Sequence, residues 1–165
     1  MEPGPLRDAV AGDGEALAAI YNHYVTGTIV TFEEVAVSGA EMAARIAAVQ
    51  GAGLPWLVAE EDGQVVGYAY ASPWKPRYGY RFSVEVTVYL APGREGRGWG
   101  TRLYRELFER LAGLGVHFVA GGIALPNPAS VGLHEKLGMR KVAHFRENGT
   151  KFGRWIDVGY WQRLL

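Results

Sequence analysis

Residues 83–111 read SVEVTVYLAPGREGRGWGTRLYRELFERL, and this stretch predicts a strand, a glycine-rich turn and a helix in succession. From Ser83 to Leu90 every second residue is apolar, which predicts a half-buried strand with one core face and one polar face. After the turn, leucine and aromatic residues recur at three- and four-residue intervals, a spacing typical of a helix packed on a sheet. The turn itself places three glycines at alternate positions, Gly96, Gly98 and Gly100.

A glycine-rich turn that leads into a helix predicts an anion site, because unpaired N–H groups and the positive end of the helix dipole meet there. A P-loop would require a Lys followed by Ser or Thr after the last glycine, and Gly100-Thr101 lacks that Lys. A dinucleotide fingerprint would require a glycine at position 103, which is Leu103. The pyrophosphate of another carrier, such as coenzyme A, fits the same donors. The alternative is a loop that only turns the chain.

Composition excludes several classes of function. The 165 residues, 48% of them hydrophobic, predict one globular domain spanning 1–165. The formal net charge of zero offers no attraction to nucleic acid or to an anionic membrane. There is no cysteine, which excludes disulfides, thiolate nucleophiles and cysteine-rich zinc sites, and we expect no metal site. Because no signal peptide or long apolar run is recognisable, we expect a cytoplasmic protein without a membrane segment.

The flanking sequence predicts alternating strands and helices. A short strand lies near Leu6 to Val10, followed by a helix that begins at an Asp13 cap and ends at Gly27. A second helix begins at the capping box Ser38-x-x-Glu41. Two strands then form a hairpin across Asp62-Gly63, and the proline-rich SPWKPRYGY is a loop.

Beyond the central helix, VHFVAGGIAL predicts a buried strand and NPASVGLHEKLG a short helix closed by Gly138. The tail predicts two strands around a loop that contains Asn148-Gly149. In the short helix, Asn127, Ser130 and His134 fall on one polar stripe. A lone histidine on a helix is commonly inert; the alternative is a functional role for His134, which its place on this stripe with Asn127 and Ser130 favours.

Glu85 is the candidate general base. It stands in mid-strand among valines and points the same way as Thr87 and Tyr89. A carboxylate beside a partly dry groove has its pKa raised toward the range useful at neutral pH. The alternative is a Glu that faces water on an exposed sheet.

The strand, the loop EGRGWG and the helix NPASVGLHEKLG together resemble the GCN5-related N-acetyltransferases. The segments IYNHYVTGTIVTF, PWLVAEEDGQVVGYAYASPWKPR, GIALPNPASVGLHEKLGM and WIDVGYWQ resemble one branch, the phosphinothricin N-acetyltransferases. The resemblance covers nearly the whole chain. It implies a single-domain α/β fold: a mixed, mostly antiparallel sheet with flanking helices and a splayed parallel strand pair.

The resemblance also implies acetyl-CoA as cosubstrate, with its pantetheine arm between the splayed strands, and Glu85 and His134 as catalytic residues. His134 stands where many relatives carry a tyrosine that protonates the leaving thiolate. A second departure is Glu95, an acid where relatives usually have Gln or Arg; neighbouring Arg94 and Arg97 compensate. The residues implied to bind acetyl-CoA are Val86, Thr87, Val88, Arg94, Gly96, Arg97, Gly98, Trp99, Gly100, Thr101, Asn127 and Ser130.

The acceptor implied by the resemblance is the α-amine of a small amino-acid analogue, such as phosphinothricin, methionine sulfone or methionine sulfoximine. The residues implied to recognise it are Phe32, Lys75, Arg77, Tyr80, Tyr89 and Val158. The amine would lose a proton to Glu85 and attack the thioester directly, and backbone N–H groups near Val86 would stabilise the oxyanion.

Three alternatives stay open from the residues alone: an acetyltransferase for another small amine or amino acid, one for a protein amino terminus, and a non-catalytic acetyl-CoA-binding module. The family resemblance further implies a homodimer.

Overall fold

The computed structural model describes residues 4–165 and contains a seven-stranded sheet flanked by four helices. The elements are β1 (Leu6–Asp8), α1 (Gly14–Gly27), α2 (Gly39–Gly51), β2 (Trp56–Glu61), β3 (Gln64–Pro73), β4 (Ser83–Leu90), α3 (Trp99–Gly113), β5 (Phe118–Ala124), α4 (Pro128–Lys136), β6 (Arg140–Lys151) and β7 (Arg154–Leu164). The strand order across the sheet is β1-β2-β3-β4-β5-β7-β6.

The pairing of β4 with β5 positions the site. These strands are parallel and pair only over Ser83–Glu85 and Phe118–Ala120, whereas every other neighbouring pair in the sheet is antiparallel. Beyond Glu85 the two strands separate, so the facing edges of their carboxyl halves have no strand partner. This confirms the predicted mixed, mostly antiparallel sheet with a splayed parallel pair.

Two apolar layers cover the two faces of the sheet. On one face α3 packs against β2 to β5 with Leu103, Leu107 and Leu111, all fully buried. On the other face α1 and α2 cover β2 and β3, where Leu17 and Ile46 contact a cluster built around Trp56. Strand alternation explains this division, because successive side chains point to opposite faces.

Several local predictions are confirmed. Asp62 and Gly63 form the β2–β3 turn with φ of 52° and 75°, the left-handed pair expected of a tight hairpin. Ser38 caps α2, since its hydroxyl accepts a hydrogen bond from the Glu41 N–H at 3.0 Å. The Glu41 carboxylate does not complete the box and instead binds Arg45.

The predicted Asp13 cap is wrong in its chemistry, although Asp13 directly precedes α1. Its side chain makes no capping hydrogen bond. The carboxylate is instead held by the Arg7 guanidinium at 2.7 Å and by the N–H of Val10 at 2.8 Å. An ion pair to a neighbouring strand therefore outcompetes the helix N–H groups for this carboxylate, and β1 is tied to the start of α1.

The predicted Asn148-Gly149 loop is also wrong. Both residues lie inside β6, next to a register irregularity between Phe145 and Gly149. The strand reverses at Phe152 and Gly153, whose φ values are 51° and 70°. A β-bulge accommodates the Asn-Gly pair without ending the strand, and the turn forms three residues after Gly149, where Phe152 and Gly153 adopt left-handed φ.

Among the helices of residues 4–165, none combines the length and the hydropathy that a membrane span requires.

Candidate active site

A groove of about 440 Å³ runs between the glycine-rich loop, the end of β4 and α4. Its walls come from four separated parts of the chain, since Tyr24 and Val30 also line it, and the splay of β4 from β5 leaves room for it. The predicted cofactor residues that line it are Val88, Gly96, Gly98, Trp99, Gly100, Thr101, Asn127 and Ser130. Eight of the twelve residues predicted to bind acetyl-CoA therefore line this groove.

The glycine-rich end of the groove has the donors that a phosphate requires. Gly96 and Gly98 have φ of 73° and 83°, so this loop adopts a path that disfavours side chains. Gly98 is the N-cap of the 15-residue helix α3, and no side chain caps that helix. The free N–H groups and the positive end of the helix dipole consequently point into the groove, which fits a pyrophosphate.

The two arginines of this loop are placed differently from the prediction. Arg94 pairs with the Glu61 carboxylate, and Arg97 is 3.9 Å from the same carboxylate. Neither arginine lines the groove, whereas Glu95 does. The Glu95 carboxylate accepts a hydrogen bond from the N–H of Gly93 at 2.8 Å. The phosphate roles of Arg94 and Arg97 stay predictions, and for Arg94 that role would require release from Glu61.

A smaller chamber of about 190 Å³ adjoins the groove and contains both predicted catalytic residues, Glu85 and His134. Val86, Thr87, Tyr104 and Gly122 complete its central walls. The residues common to groove and chamber are Val30, Val88, Tyr89, Asn127 and Ser130. The two spaces are therefore continuous, and a long ligand in the groove can place its end beside Glu85.

The Glu85 carboxylate lies half-buried on β4. Burial raises its pKa, and the positive charge of Lys75 acts in the opposite direction. Within residues 4–165 no hydrogen bond reaches this carboxylate, so its oxygens are available to a ligand. Gly122 on β5 leaves the space beside it, because a Cβ there would lie 3.3 Å from Glu85 Oε1 and 3.1 Å from the Tyr160 ring. This arrangement suits a proton acceptor with an open approach.

His134 is buried, with 3% of its surface exposed, and its ring has two defined partners. Nδ1 lies 2.7 Å from the carbonyl oxygen of Ser130, one turn earlier in α4, so Nδ1 carries the proton and donates it. Nε2 then accepts from the Tyr104 hydroxyl at 3.4 Å. Burial lowers the His134 pKa, which favours the neutral ring. The geometry therefore gives a neutral imidazole whose acceptor nitrogen faces a tyrosine hydroxyl.

Asn127 and Ser130 shape the start of α4. Asn127 is its N-cap, and its side-chain oxygen accepts from the Ser130 N–H at 3.2 Å. Pro128 follows at the first helical position, where its missing N–H costs nothing. The predicted stripe of Asn127, Ser130 and His134 is thus one connected unit along the chamber.

The predicted acceptor residues divide into two groups. Tyr89 lines the chamber and packs edge-on against Tyr21, with ring centroids 5.3 Å apart. Val158 is buried and pairs in register with Ala124, which lines the chamber. The other group is more exposed. Lys75, Arg77 and Tyr80 lie in the segment between β3 and β4, and Phe32 lies between α1 and α2, with its ring against Gly149.

Sequence reasoning missed four residues of this region. The helical spacing after the glycine-rich turn predicts only that Tyr104 lies on the apolar face of α3, yet its buried hydroxyl contacts His134; a tyrosine in an apolar stripe is the available signal. Thr31 lines the chamber from the segment between α1 and α2, and Tyr160 packs against Gly122. Lys151 is fully buried behind that segment. No local pattern marks Thr31, Tyr160 or Lys151.

Within residues 4–165 there is no cluster of three or more metal-ligating side chains.

Comparisons with known proteins agree with this geometry. Residues 6–159 match the family model described as an acetyltransferase (GNAT) domain. A phosphinothricin N-acetyltransferase from Alcaligenes faecalis is 44% identical over 93% of this chain and 78% of its own length. An L-methionine sulfoximine/L-methionine sulfone acetyltransferase from Salmonella typhimurium is 37% identical over 97% of this chain and 94% of its own length.

Solved structures give the same result. A GNAT superfamily phosphinothricin acetyltransferase from Sinorhizobium meliloti, in complex with AcCoA, superposes with a TM-score of 0.95 at 40% identity, covering 99% of this chain and 89% of that one. A ribosomal-protein-alanine N-acetyltransferase from Brucella melitensis also gives 0.95, at 38% identity, covering 98% and 99% of the two chains.

Proposed function

The chain belongs to the GNAT acetyltransferase family and is an acetyl-CoA-dependent N-acetyltransferase, and from that premise we propose that its acceptor is a small amino-acid analogue. The acceptor class we propose has an oxygen-rich side group: phosphinothricin, methionine sulfone or methionine sulfoximine. The observation that carries this proposal is the gap between β4 and β5, which joins the groove to the chamber around Glu85. The sequence similarity to acetyltransferases of these compounds supports it.

In the proposed complex the groove holds acetyl-CoA, which supplies an activated thioester. The loop 94–101 and the start of α3 face its pyrophosphate, and the unpaired edge of β4 at Val86, Thr87 and Val88 faces the pantetheine arm. Asn127 and Ser130 face the thioester end. Free N–H groups at the α3 terminus and the absence of a β5 partner beyond Glu85 support this orientation.

Glu85 is proposed as the general base. The acceptor enters as an ammonium ion, and Glu85 takes one proton from its nitrogen, directly or through one water. The neutral amine then attacks the thioester carbonyl and forms the C–N bond, while N–H groups near Val86 stabilise the oxyanion. Collapse breaks the C–S bond and releases the CoA thiolate, and the second proton of the nitrogen passes to that thiolate or to solvent. Burial raises the pKa of Glu85 toward neutral pH, where a general base is most effective. No covalent enzyme intermediate is involved, and holding both reactants in one chamber supplies most of the acceleration.

His134 is proposed to act on the leaving-group side. Its Nδ1 proton is committed to the Ser130 carbonyl, so its neutral ring presents Nε2 as an acceptor toward Tyr104. In this state His134 polarises the Tyr104 hydroxyl and does not itself donate a proton. Protonation of the departing thiolate by His134 therefore requires that Nε2 first gain a proton.

Six residues on the Glu85 side of the site are proposed to recognise the acceptor. Lys75 lies close enough to influence the Glu85 pKa, so its ammonium is suited to an acceptor carboxylate or another anionic group. Arg77 and Tyr80 offer hydrogen bonds to phosphinyl or sulfonyl oxygens. Phe32, Tyr89 and Val158 supply apolar surface. Arg77, Tyr80 and Phe32 are exposed at the protein surface.

Residues 1–165 are proposed to form one domain that assembles as a homodimer in the cytoplasm, where acetyl-CoA is available. The exposed apolar side chains of β6 and β7 support a dimer, with Val142 55% exposed and Trp155 70% exposed. Size-exclusion chromatography with light scattering tests it, and a monomer at micromolar concentration would exclude it.

The acceptor is tested by following CoA release with a thiol reagent, which has almost no background because the chain lacks cysteine. Acetyl-CoA is incubated with phosphinothricin, methionine sulfone, methionine sulfoximine, each common amino acid, and a peptide with an amino-terminal alanine. We expect release that depends on the first three compounds.

Release with common amino acids alone would favour the second candidate, an acetyltransferase for ordinary amino acids. Release with the peptide alone would favour acetylation of a protein amino terminus, a candidate made relevant by the similarity to the ribosomal-protein-alanine N-acetyltransferase from Brucella melitensis. Release with none of them, despite measured acetyl-CoA binding, would reject the proposed acceptor class.

A further inference from the structure

Lys151, the last residue of β6, has a fully buried side chain, although lysine is among the residues least often found inside proteins. Its ammonium donates to two backbone carbonyls, that of Thr31 at 2.6 Å and that of Tyr24 at 3.2 Å. Burial lowers the Lys151 pKa, while Glu33 and Glu34 oppose that shift. A buried cation is costly unless it is hydrogen-bonded, so these contacts fix the ammonium in one place.

Both of the carbonyls belong to the segment around the end of α1, and residues 28–34 of that segment form what we call the 28–34 loop. Two neighbours of Lys151 contact the same loop. The Phe32 ring occupies the space where a Cβ of Gly149 would stand, and the N–H of Phe152 donates to Glu34 Oε1 at 3.1 Å. The tip of the β6–β7 hairpin therefore holds the 28–34 loop at three points.

The opposite side of the loop is anchored to the helices. The Arg45 guanidinium binds both carboxylate oxygens of Glu33, at 2.7 and 2.8 Å. The Tyr21 hydroxyl contacts Thr31 Oγ1 at 2.8 Å and also binds Glu33. These contacts fix the loop relative to α1 and α2, whereas Lys151 fixes it relative to the sheet edge beyond β5.

The inner surface of the loop forms part of the chamber wall. Val30 and Thr31 line the chamber, and Thr31 is the residue whose carbonyl accepts the shorter Lys151 hydrogen bond. The acetyl-CoA groove takes only Val30 from this loop, and its other walls come from β4, α1, α4 and the glycine-rich turn. A shift of the loop would therefore move two walls of the chamber, Val30 and Thr31, but only Val30 in the groove. Tyr24, which also lines the groove, stays fixed because it lies inside α1.

We propose that Lys151 is a positioning residue for the acceptor: by holding the Tyr24 and Thr31 carbonyls it sets where the 28–34 loop closes the chamber. This inference rests on the proposed acetyl transfer. It extends the acceptor site to Lys151 of β6, a residue that touches no reacting atom and acts through the 28–34 loop. Loss of the ammonium removes the Lys151 donor from the Thr31 carbonyl, so the chamber side of the loop shifts while the Arg45–Glu33 pair still holds its other side.

The test compares Lys151→Met, which keeps the length and apolar stem but removes the donors, with Lys141→Met on an exposed part of the same strand. With methionine sulfone as acceptor, we expect Lys151→Met to raise the acceptor KM at least about tenfold, because misplaced positioning groups cost one to two orders of magnitude. The acetyl-CoA KM should change less than about twofold, and Lys141→Met should change neither. Unchanged acceptor KM, or equal increases of both KM values, would overturn the proposal.

Glu34→Ala provides a second variant that is safe for folding, since Glu34 is exposed and its carboxylate holds only the hairpin tip. It should raise the acceptor KM in the same direction by a smaller factor. If Lys151→Met does not fold, the result with Glu34→Ala decides: no change in acceptor KM overturns the proposal.

Amide hydrogen exchange separates failure of this inference from failure of the proposed function. In Lys151→Met we expect faster exchange confined to residues 28–34, with α2 and the β2–β3 hairpin unchanged. Should the wild-type protein acetylate no tested amine, the proposed function fails, yet this exchange result still decides whether Lys151 holds the loop. Unchanged exchange in the loop, or a uniform increase throughout the chain, would show that Lys151 only contributes to stability.

Discussion

Glu85 and His134 lie on opposite faces of the sheet and meet only where β4 and β5 separate. The neighbouring glycines of β5 show this directly: a Cβ at Gly121 would lie 2.6 Å from His134 Nε2, and one at Gly122 would lie 3.3 Å from Glu85 Oε1. The gap between the strands is thus a passage through the sheet. In the proposed reaction the amine arrives on the Glu85 side and the thiolate leaves on the His134 side, so the two proton transfers do not compete for one space.

Replacement of Glu85 by Gln should lower kcat by at least about 100-fold, since the amide keeps the shape but accepts no proton from the ammonium ion. Acetyl-CoA affinity should be unchanged, because Glu85 does not line the groove. Steady-state rates and calorimetric titration with acetyl-CoA measure the two quantities. A variant with full turnover would exclude Glu85 as the base.

Lys75 should control the acid side of the pH–rate profile. Below the Glu85 pKa the carboxyl is protonated and cannot act as a base, so kcat/KM rises as pH increases through that pKa. Lys75 lowers this pKa. Lys75→Met should therefore move the acid limb to higher pH, whereas Lys141→Met should not move it. The profiles are measured between pH 5 and pH 9 at saturating acetyl-CoA. An acid limb that stayed in place or moved to lower pH in Lys75→Met would contradict the effect of Lys75 on the Glu85 pKa.

The two glycines of β5 should respond differently to alanine. Gly121→Ala forces the His134 ring away from the strand and should destabilise the protein by about 1–3 kcal/mol, the usual cost of overpacking. Gly122→Ala meets the Tyr160 ring at 3.1 Å in a more open region, so it should mainly impair acceptor use. Urea unfolding and acceptor KM distinguish them, and equal effects on both quantities would contradict the opposite-face arrangement.

Glu95 should weaken acetyl-CoA binding, because it places a negative charge at the groove beside the start of α3. Glu95→Gln keeps an oxygen for the Gly93 N–H and removes the charge. We expect the acetyl-CoA KM to fall by about two- to fivefold, the effect of one charge near a helix N-terminus. The difference should shrink at high salt, and a KM that is unchanged at low ionic strength would argue against a phosphate at this end.

Buried His134 should make folding sensitive to mild acid. Its folded-state pKa lies below the ordinary value of 6.5, so below pH 6.5 the unfolded chain binds a proton that the folded chain rejects. Stability is therefore fully present above pH 6.5 and is lost as pH falls toward the folded pKa, by at most about 1.4 kcal/mol per pH unit. His134→Gln should reduce this slope. Urea unfolding at pH 7.5 and 5.5 checks it, and identical slopes in both proteins would show that His134 is not buried in its neutral form.

Much of the fold could be predicted because its signals are local. The alternation over Ser83–Leu90 and the helical spacing after Gly98 each depend on neighbours a few residues apart. Glu85 and the Asn127–Ser130–His134 stripe were predicted for the same reason. Asp13 and the Asn148-Gly149 pair were misread because partners distant in sequence, or the demands of a bulged strand, outweighed a local preference.

The sequence by itself determined the order of the elements, the two faces of β4, the glycine-rich turn and the family to which these belong. Only the tertiary structure decided that Arg94 binds Glu61, that Tyr104 contacts His134, and that Lys151 reaches carbonyls more than 100 residues earlier in the chain. Periodicity reports which face a residue occupies, since the backbone geometry repeats every few residues. It carries no information about which distant side chain stands opposite, because that depends on how the separate elements pack together.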